Sequence, residues 1–188
     1  MRCRGLRSFA GVPILASLTA VPAFAAPENS TWGIPNASFP MPGVMAAGQP
    51  TGTQIQLMVE EGGYRTVIDL RPAEEPRGFD ERETATQIGL TYVNIPVTPA
   101  TLDQATIDRF LNALRKAERP VLLHCSNASR VGGLLYAWFV LEKKESPAKA
   151  LERAKAAGLR APDMIEKVQK LVAERHPASA HPAPRPPG

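Results

Sequence analysis

The chain has 188 residues, 44% hydrophobic and 21% charged, enough for one domain with a continuous core and too apolar for an intrinsically disordered protein. Its formal net charge of +4 comes from 22 basic and 18 acidic residues. Three of the basic ones, Arg2, Arg4 and Arg7, lie in the first 25 positions, where there is no acid; without that segment the charge falls to +1, and no basic footprint for nucleic acid remains.

Residues 1–25 combine this basic start with an apolar run over 9–21 and the small-residue pattern Ala23-Phe24-Ala25. These are the three regions of a secretory signal peptide, predicting cleavage after Ala25 and a periplasmic or secreted mature chain. The apolar run contains Pro13 and is shorter than the roughly 20 residues of a membrane span, so no stable membrane anchor is expected. Cys3 leaves with the peptide. Cys125 is then the lone cysteine of an exported protein, either a buried hydrophobe or a working nucleophile.

Residues 26–42 are rich in Pro, Asn, Ser and Gly without a sustained period and read as an irregular arm; 43–175 read as the folded domain. A short strand fits 43–47. Gln49-Pro50-Thr51 then opens a helix capped by Thr51 or Thr53, with Ile55, Met58 and Val59 inward and Gly62-Gly63 at its end. Residues 64–70 (YRTVIDL) form a strand that Arg71-Pro72 stops. A short helix over 80–88 follows, with Asp80 as N-cap and Glu83 at capping-box spacing.

Next come a strand over 91–97 (TYVNIPV) and a helix over 103–116, whose Ile107, Phe110, Leu111 and Leu114 share one face. Strand 121–124 leads into Cys125, and beyond Arg130 the run VGGLLYAWFVLEKK is a helix apolar nearly all round. Two more helices are expected: 146–157, with Ser146 as N-cap and Pro147 in first position, and 162–174, with Met164, Ile165, Val168, Leu171 and Val172 inward. The tail, 176–188, holds five prolines and reads as a disordered extension, its His176 and His181 solvated.

Strands alternate with helices through connections too long for hairpins. The pattern predicts an α/β fold: a mostly parallel sheet of four or five strands with helices on both faces. Ligand sites in such sheets lie beyond the carboxyl ends of the strands, a rim that gathers Cys125, the pair Asp69 and Arg71, and the 98–103 loop ending in Asp103.

The chemistry concentrates in VLLHCSNASRVGG, residues 121–133. It reads as strand, anion-binding loop and helix, with main-chain N–H groups converging where an anion and a thiolate are stabilised together. Arg130 supplies a cation whose fork fits two oxygens of a phosphate- or sulfate-like group while the Cys125 thiolate attacks the central atom. Ser126, Asn127, Ala128 and Ser129 are small enough for the backbone to wrap the anion, and Val131 closes the loop.

Competing chemistries lack residues. A Cys-His hydrolase needs a histidine beside the sulfur, but His124 leaves its strand on the other face, and the other two histidines are in the tail. One cysteine and these histidines do not make a zinc site, and no Gly-Lys-Ser/Thr loop is present, so no metal and no cofactor is expected. Two rim carboxylates are candidates for protonating a leaving group: Asp103, which reads first as a helix N-cap, and Asp69, which serves equally as a structural partner of Arg71. Arg71 is a candidate second anion clamp, while Glu74 and Glu75 read as solvated loop charges.

The loop HCSNASR and its preceding strand resemble the active-site signature of cysteine-dependent phosphatases. The ordered blocks AGQPT (47–51), TVIDLRP (66–72), TYVNIPV and HCSNASRVGG resemble more closely the bacterial phosphatase-like domain also found fused to beta-lactamase-like hydrolases, over about residues 42–142. The resemblance implies a cysteine-phosphatase-like fold and a Cys-Arg site for a small anionic substrate or a phosphoprotein. Three departures stand out. Four residues separate Cys125 from Arg130 where the phosphatase pattern has five; four is the spacing of rhodanese-like sulfurtransferases, whose smaller cradle holds a persulfide. Val131 stands where phosphatases commonly place a Ser or Thr that helps expel the thiolate. The loop that ordinarily carries a general-acid aspartate reads PVTPATLD, with Asp103 its nearest acid. The expected function is an exported cysteine-dependent phosphatase-like hydrolase. A sulfurtransferase carrying a persulfide on Cys125 and a non-catalytic anion-binding module are the alternatives.

Overall fold

The computed structural model describes residues 30–175; the signal peptide expected over 1–25 and the tail expected over 176–188 lie outside the described residues. Five strands form one sheet: β1 (Ser38–Met41), β2 (Val44–Ala47), β3 (Thr66–Asp69), β4 (Thr91–Asn94) and β5 (Val121–His124), in spatial order β1-β2-β5-β3-β4. The last four strands are parallel, and β1 pairs antiparallel with β2 at the edge. β1 corrects the sequence reading twice: part of the arm over 26–42 is a strand, and its link to β2 is a hairpin. Pro40, which cannot donate to a ladder, is tolerated because β1 is the sheet's outer strand, and Gly43 takes φ +69° in the two-residue turn.

The helices are α1 (Gly52–Glu60), α2 (Glu81–Gln87), α3 (Gln104–Lys116), α4 (Ser129–Ala137), α5 (Pro147–Ala156) and α6 (Pro162–Arg175); a π-helical turn, Trp138–Glu142, continues α4. Their starts follow the expected caps. Thr51 and Gln54 form a reciprocal capping box, and Ser146 and Asp103 cap α5 and α3. At α2 only half the expected box forms: Asp80 accepts the Glu83 N–H at 2.8 Å, but the Glu83 carboxylate turns to Gln87 instead. Among the described residues no helix is long and apolar enough to cross a membrane.

Alternate strand residues feed two cores. On one face Val44, Ala46, Ile68, Leu70, Val121 and Leu123, with Cys125, pack against apolar residues of α3, α4, α5 and α6. On the other, Met45, Ala47, Val67 and Leu122 meet Ile55 and Met58 of α1 and Ala85 of α2. The parallel register sets Ala47 and Asp69 opposite His124, and Asn94 opposite Asp69, so the loops after all four parallel strands leave from one rim.

α4 is buried nearly all round because it lies between the sheet and α5–α6. Its two glycines are explained by close approach: a Cβ on Gly132 would lie 2.4 Å from Leu159 N and 2.7 Å from Ala154 O, and one on Gly133 2.7 Å from Met164 Cγ. In an open helix Gly→Ala gains about 1 kcal/mol. Here the backbone of the α5–α6 connection blocks it, and Gly132→Ala is expected to lose about 1–3 kcal/mol in chemical denaturation. A gain would show that this connection is not packed on α4 as described.

Candidate active site

β5 delivers Cys125 to the rim as a fully buried residue whose N–H donates to Ala47 O at 3.3 Å. The chain then turns through Ser126, Asn127 and Ala128 into α4. Ala128 sits in the left-handed region at φ +70° and gives α4 no side-chain cap; the Asn127 carboxamide oxygen supplies one, accepting the Ser129 N–H at 3.1 Å. The loop is held from two sides. Gly48 bridges to Asn127, Gln49 N–H donates to Ser126 O at 3.3 Å, and a Cβ on Gly48 would lie 2.9 Å from Pro35 O and 3.1 Å from Ser126 O. From the other side Gly158 approaches so closely that a Cβ would meet Ala128 Cβ at 2.6 Å, and Ser129 Oγ accepts the N–H groups of Arg160 at 3.2 Å and Ala161 at 3.1 Å. Among the described residues, the N–H groups of Ser126, Asn127 and Arg130 donate to no protein acceptor. They are available to an anion.

Arg130 reaches across the rim rather than into solvent. Its Nη1 donates to Glu75 Oε1 at 2.6 Å and Val97 O at 3.1 Å, and its Nη2 to Glu75 Oε2 at 2.8 Å and Ser126 Oγ at 2.9 Å. Burial opposes the guanidinium charge, but the Glu75 hydrogen bonds and the neighbouring Cys125 sulfur raise its pKa above the ordinary arginine value. Glu75 is therefore not a solvated loop charge. Hydrogen bonding to Arg130, foremost, and to Arg71 outweighs its desolvation and holds its carboxyl down to about 2. Glu75, Thr98, Ser126, Asn127, Arg130 and Asp163 line a cleft of about 240 Å³ over the loop.

The other anticipated residues divide. Ser126 and Asn127 stand on the cleft; Ala128 and Val131 are wholly buried, Val131 in the main core. Ser129 also lines the cleft; its hydroxyl oxygen accepts from the α5–α6 connection, which leaves its own hydrogen to donate. Asp103 is exposed, accepts the Thr106 N–H at 2.7 Å, has its pKa lowered by the Thr106 hydroxyl first and that N–H second, and does not line the cleft. Asp69 is fully buried and faces the α1–α2 side with Val67, two residues earlier in the strand. It accepts from the Arg71 N–H at 2.8 Å, Arg77 Nη2 at 2.7 Å and the Tyr92 hydroxyl at 2.8 Å, so neither anticipated acid is brought to the cleft. Arg71 is no clamp: its Nε holds Glu75 at 2.9 Å, its Nη2 Pro76 O at 2.7 Å, and its Nη1 the Gln49 carboxamide.

Behind the loop lies a buried polar cluster. His124, on the face opposite Cys125 as its strand position requires, places Nε2 2.6 Å from Glu81 Oε1 and 3.7 Å from Asp69 Oδ1. Ligand atoms of Asp69, Glu81 and His124 lie within 4.8 Å of one another, a spacing a metal ion accepts, yet Arg77 already serves them as cation, 2.7 Å from Asp69 and 3.9 Å from Glu81. Burial and the bond to Asp69 together raise the Tyr92 phenol pKa. Sequence reasoning missed Glu75, Arg77, Glu81 and Asp163. The four-residue spacings Arg71–Glu75 and Arg77–Glu81 were a faint signal; Asp163 carried none.

Fold and loop together define a cysteine-phosphatase-like α/β domain, a Cys-to-Arg loop joining the central parallel strand to a buried helix. The chain belongs to the family described as "DSP-PTPase phosphatase fused to NAD+ Kinase", whose profile matches residues 20–171, and this makes it a cysteine-dependent phosphatase-like hydrolase by class. It is 37% identical over 88 residues to the beta-lactamase hydrolase-like protein of Xylella fastidiosa (strain Temecula1 / ATCC 700964); the match covers 45% of this chain and only 20% of that relative's length. A DUF442 protein of Shewanella putrefaciens CN-32 shares the fold with TM-score 0.64 at 24% identity, over 79% of this chain and 94% of its own. TpbA of P. aeruginosa, solved in complex with pTyr, shares it with TM-score 0.62 at 20% identity, over 87% of this chain and all of its own (100%).

The Glu75–Arg130 pair has a pH signature. Glu75 is ionised more readily folded than unfolded, so its contribution is fully present above its ordinary pKa of 4.5 and is lost as pH falls toward about 2. Glu75→Gln is expected to lower stability at pH 7 by about 1 kcal/mol, allowing for solvent screening. Denaturant melts of both proteins should converge as pH drops below about 4.5. A pH-independent difference would contradict the ion pair.

Proposed function

We propose that this chain is an exported cysteine-dependent phosphatase that hydrolyses phosphate monoesters through a phosphocysteine on Cys125. The Cys125 thiolate attacks phosphorus, the bond to the ester oxygen breaks, and water then releases phosphate from the sulfur. The observation that carries this reading is that Arg130, which lies beside the buried Cys125 sulfur, shares one cleft with Ser126 and Asn127, whose N–H groups are unengaged. Oriented donors of this kind stabilise the charge that gathers on the equatorial oxygens of a transferring phosphoryl group. The cleft opens to solvent, which suits a phosphorylated side chain, and TpbA's structure with pTyr supports that substrate class. Because Glu75 takes the Nη1–Nη2 edge of Arg130, the substrate meets the remaining Nε–H and the loop amides instead of a free fork.

A sulfurtransferase is the second reading, favoured by the four-residue spacing between Cys125 and Arg130. Incubation with an aryl phosphate, and separately with thiosulfate plus a thiol acceptor, separates the two. Phosphate release that Cys125→Ser abolishes, with a phosphoryl adduct on the Cys125 peptide, is the expected result. One added sulfur atom on that peptide with transfer to the acceptor would establish the second reading, and turnover by neither route would remove both.

Export rests on the basic, apolar and small-residue regions of 1–25. N-terminal sequencing of protein recovered from the periplasm or medium should begin at Ala26. Retention of Met1 on protein confined to the cytoplasm would overturn it.

A further inference from the structure

The cleft has two walls. One carries Ser126 and Arg130; the other is the α5–α6 connection with the first turn of α6, and it brings Asp163 to the cleft. We propose that Asp163 is the general base of the second half-reaction, accepting a proton from the water that attacks the phosphocysteine. This rests on the phosphatase reading above.

Elimination among the rim carboxylates points to it. Asp69 is buried on the opposite face with its oxygens in use. Glu75 is clamped between Arg71 and Arg130, which together engage both of its carboxylate oxygens. Asp103 caps α3 and lies off the cleft. Asp163 is exposed, enters no ion pair among the described residues, and uses only Oδ1, which accepts the Met164 N–H at 2.8 Å. Its Oδ2 is engaged by no protein donor among the described residues and can accept a proton.

Asp163 is also held against the start of α4. Two residues before it, Ala161 N–H is bound to Ser129 Oγ, in the loop that carries Cys125; one residue after it, Met164 is buried against Gly133 of α4. A carboxylate between two such tethers keeps its place over the loop without a mobile lid. Val131 adds the chemical need: no hydroxyl follows Arg130 to assist the departing thiolate, so water activation must drive the second step. In that step the water oxygen bonds to phosphorus, the P–S bond breaks with its electron pair returning to Cys125, the water proton passes to Asp163 and then to solvent, and inorganic phosphate leaves.

The test is rapid mixing of the full chain with 4-nitrophenyl phosphate, whose leaving group needs no acid. Asp163→Asn keeps an oxygen for the Met164 N–H and therefore the fold. It is expected to release about one nitrophenolate per protein at the wild-type first-turnover rate, then to continue about 10²-fold more slowly, with the phosphoryl adduct accumulating on the Cys125 peptide. Asp163→Glu should recover part of the steady-state rate. An unchanged steady-state rate in Asp163→Asn, or loss of its burst with folding intact by circular dichroism, overturns the assignment. A wild-type protein that forms no adduct and does not turn over instead refutes the phosphatase reading itself, and the proposal with it.

Discussion

The two-point pair between Glu75 and Arg130, with contacts of 2.6 and 2.8 Å, is the constraint on which the rim depends. It joins the loop after β3 to the start of α4 across the mouth of the cleft, and Arg71 holds Glu75 from its other side. Bidentate guanidinium–carboxylate pairs fix orientation as well as charge. Arg130 is consequently aimed before any ligand arrives, with only part of its donor set left to recognise one. Leaving either partner alone in this half-buried place is costly, so the pair also polices the shape of the 71–81 loop.

The loop around Cys125 is shaped by contact more than by its own preferences. Ala128 accepts a left-handed conformation, a cost of about 1–2 kcal/mol for a residue with a Cβ, and Gly158 and Gly48 leave just enough room for the backbone to pass. The α5–α6 connection is docked on the same loop through Ser129, which makes the far wall of the cleft part of the cradle's own support. Behind it the Asp69–Arg77–Glu81–His124 cluster fastens β3, the 71–81 loop and β5 to one another. Buried ionic groups of this kind add little net stability but hold one arrangement over others.

Much of this was legible in the residues. Periodic apolar faces located α1, α3 and α6, an apolar run located α4, and cap residues at Asp80 and Ser146 located α2 and α5; the strand–loop–helix reading of residues 121–133 holds. The choice left open at Asp69, acid or structural partner, was legible: the period-2 rule that sends His124 away from the sulfur also sends Asp69 with Val67 to the α1–α2 face. β1 was hidden because four residues containing a proline carry no measurable period. Glu75 and Ser129 could not be read from sequence, since their partners, Arg130 and the Arg160–Ala161 backbone, come from distant segments and are set by tertiary packing alone.

The central claim is that the Cys125–Arg130 loop is the phosphate cradle, and a crystal structure of the chain with orthovanadate tests it most directly. The account predicts a vanadium–sulfur bond at Cys125, equatorial oxygens on the N–H groups of Ser126 and Asn127 and on Arg130, and Glu75 still pairing the outer edge of that guanidinium. Vanadate bound elsewhere, with Cys125 unmodified and the loop amides engaged by nothing, would contradict it.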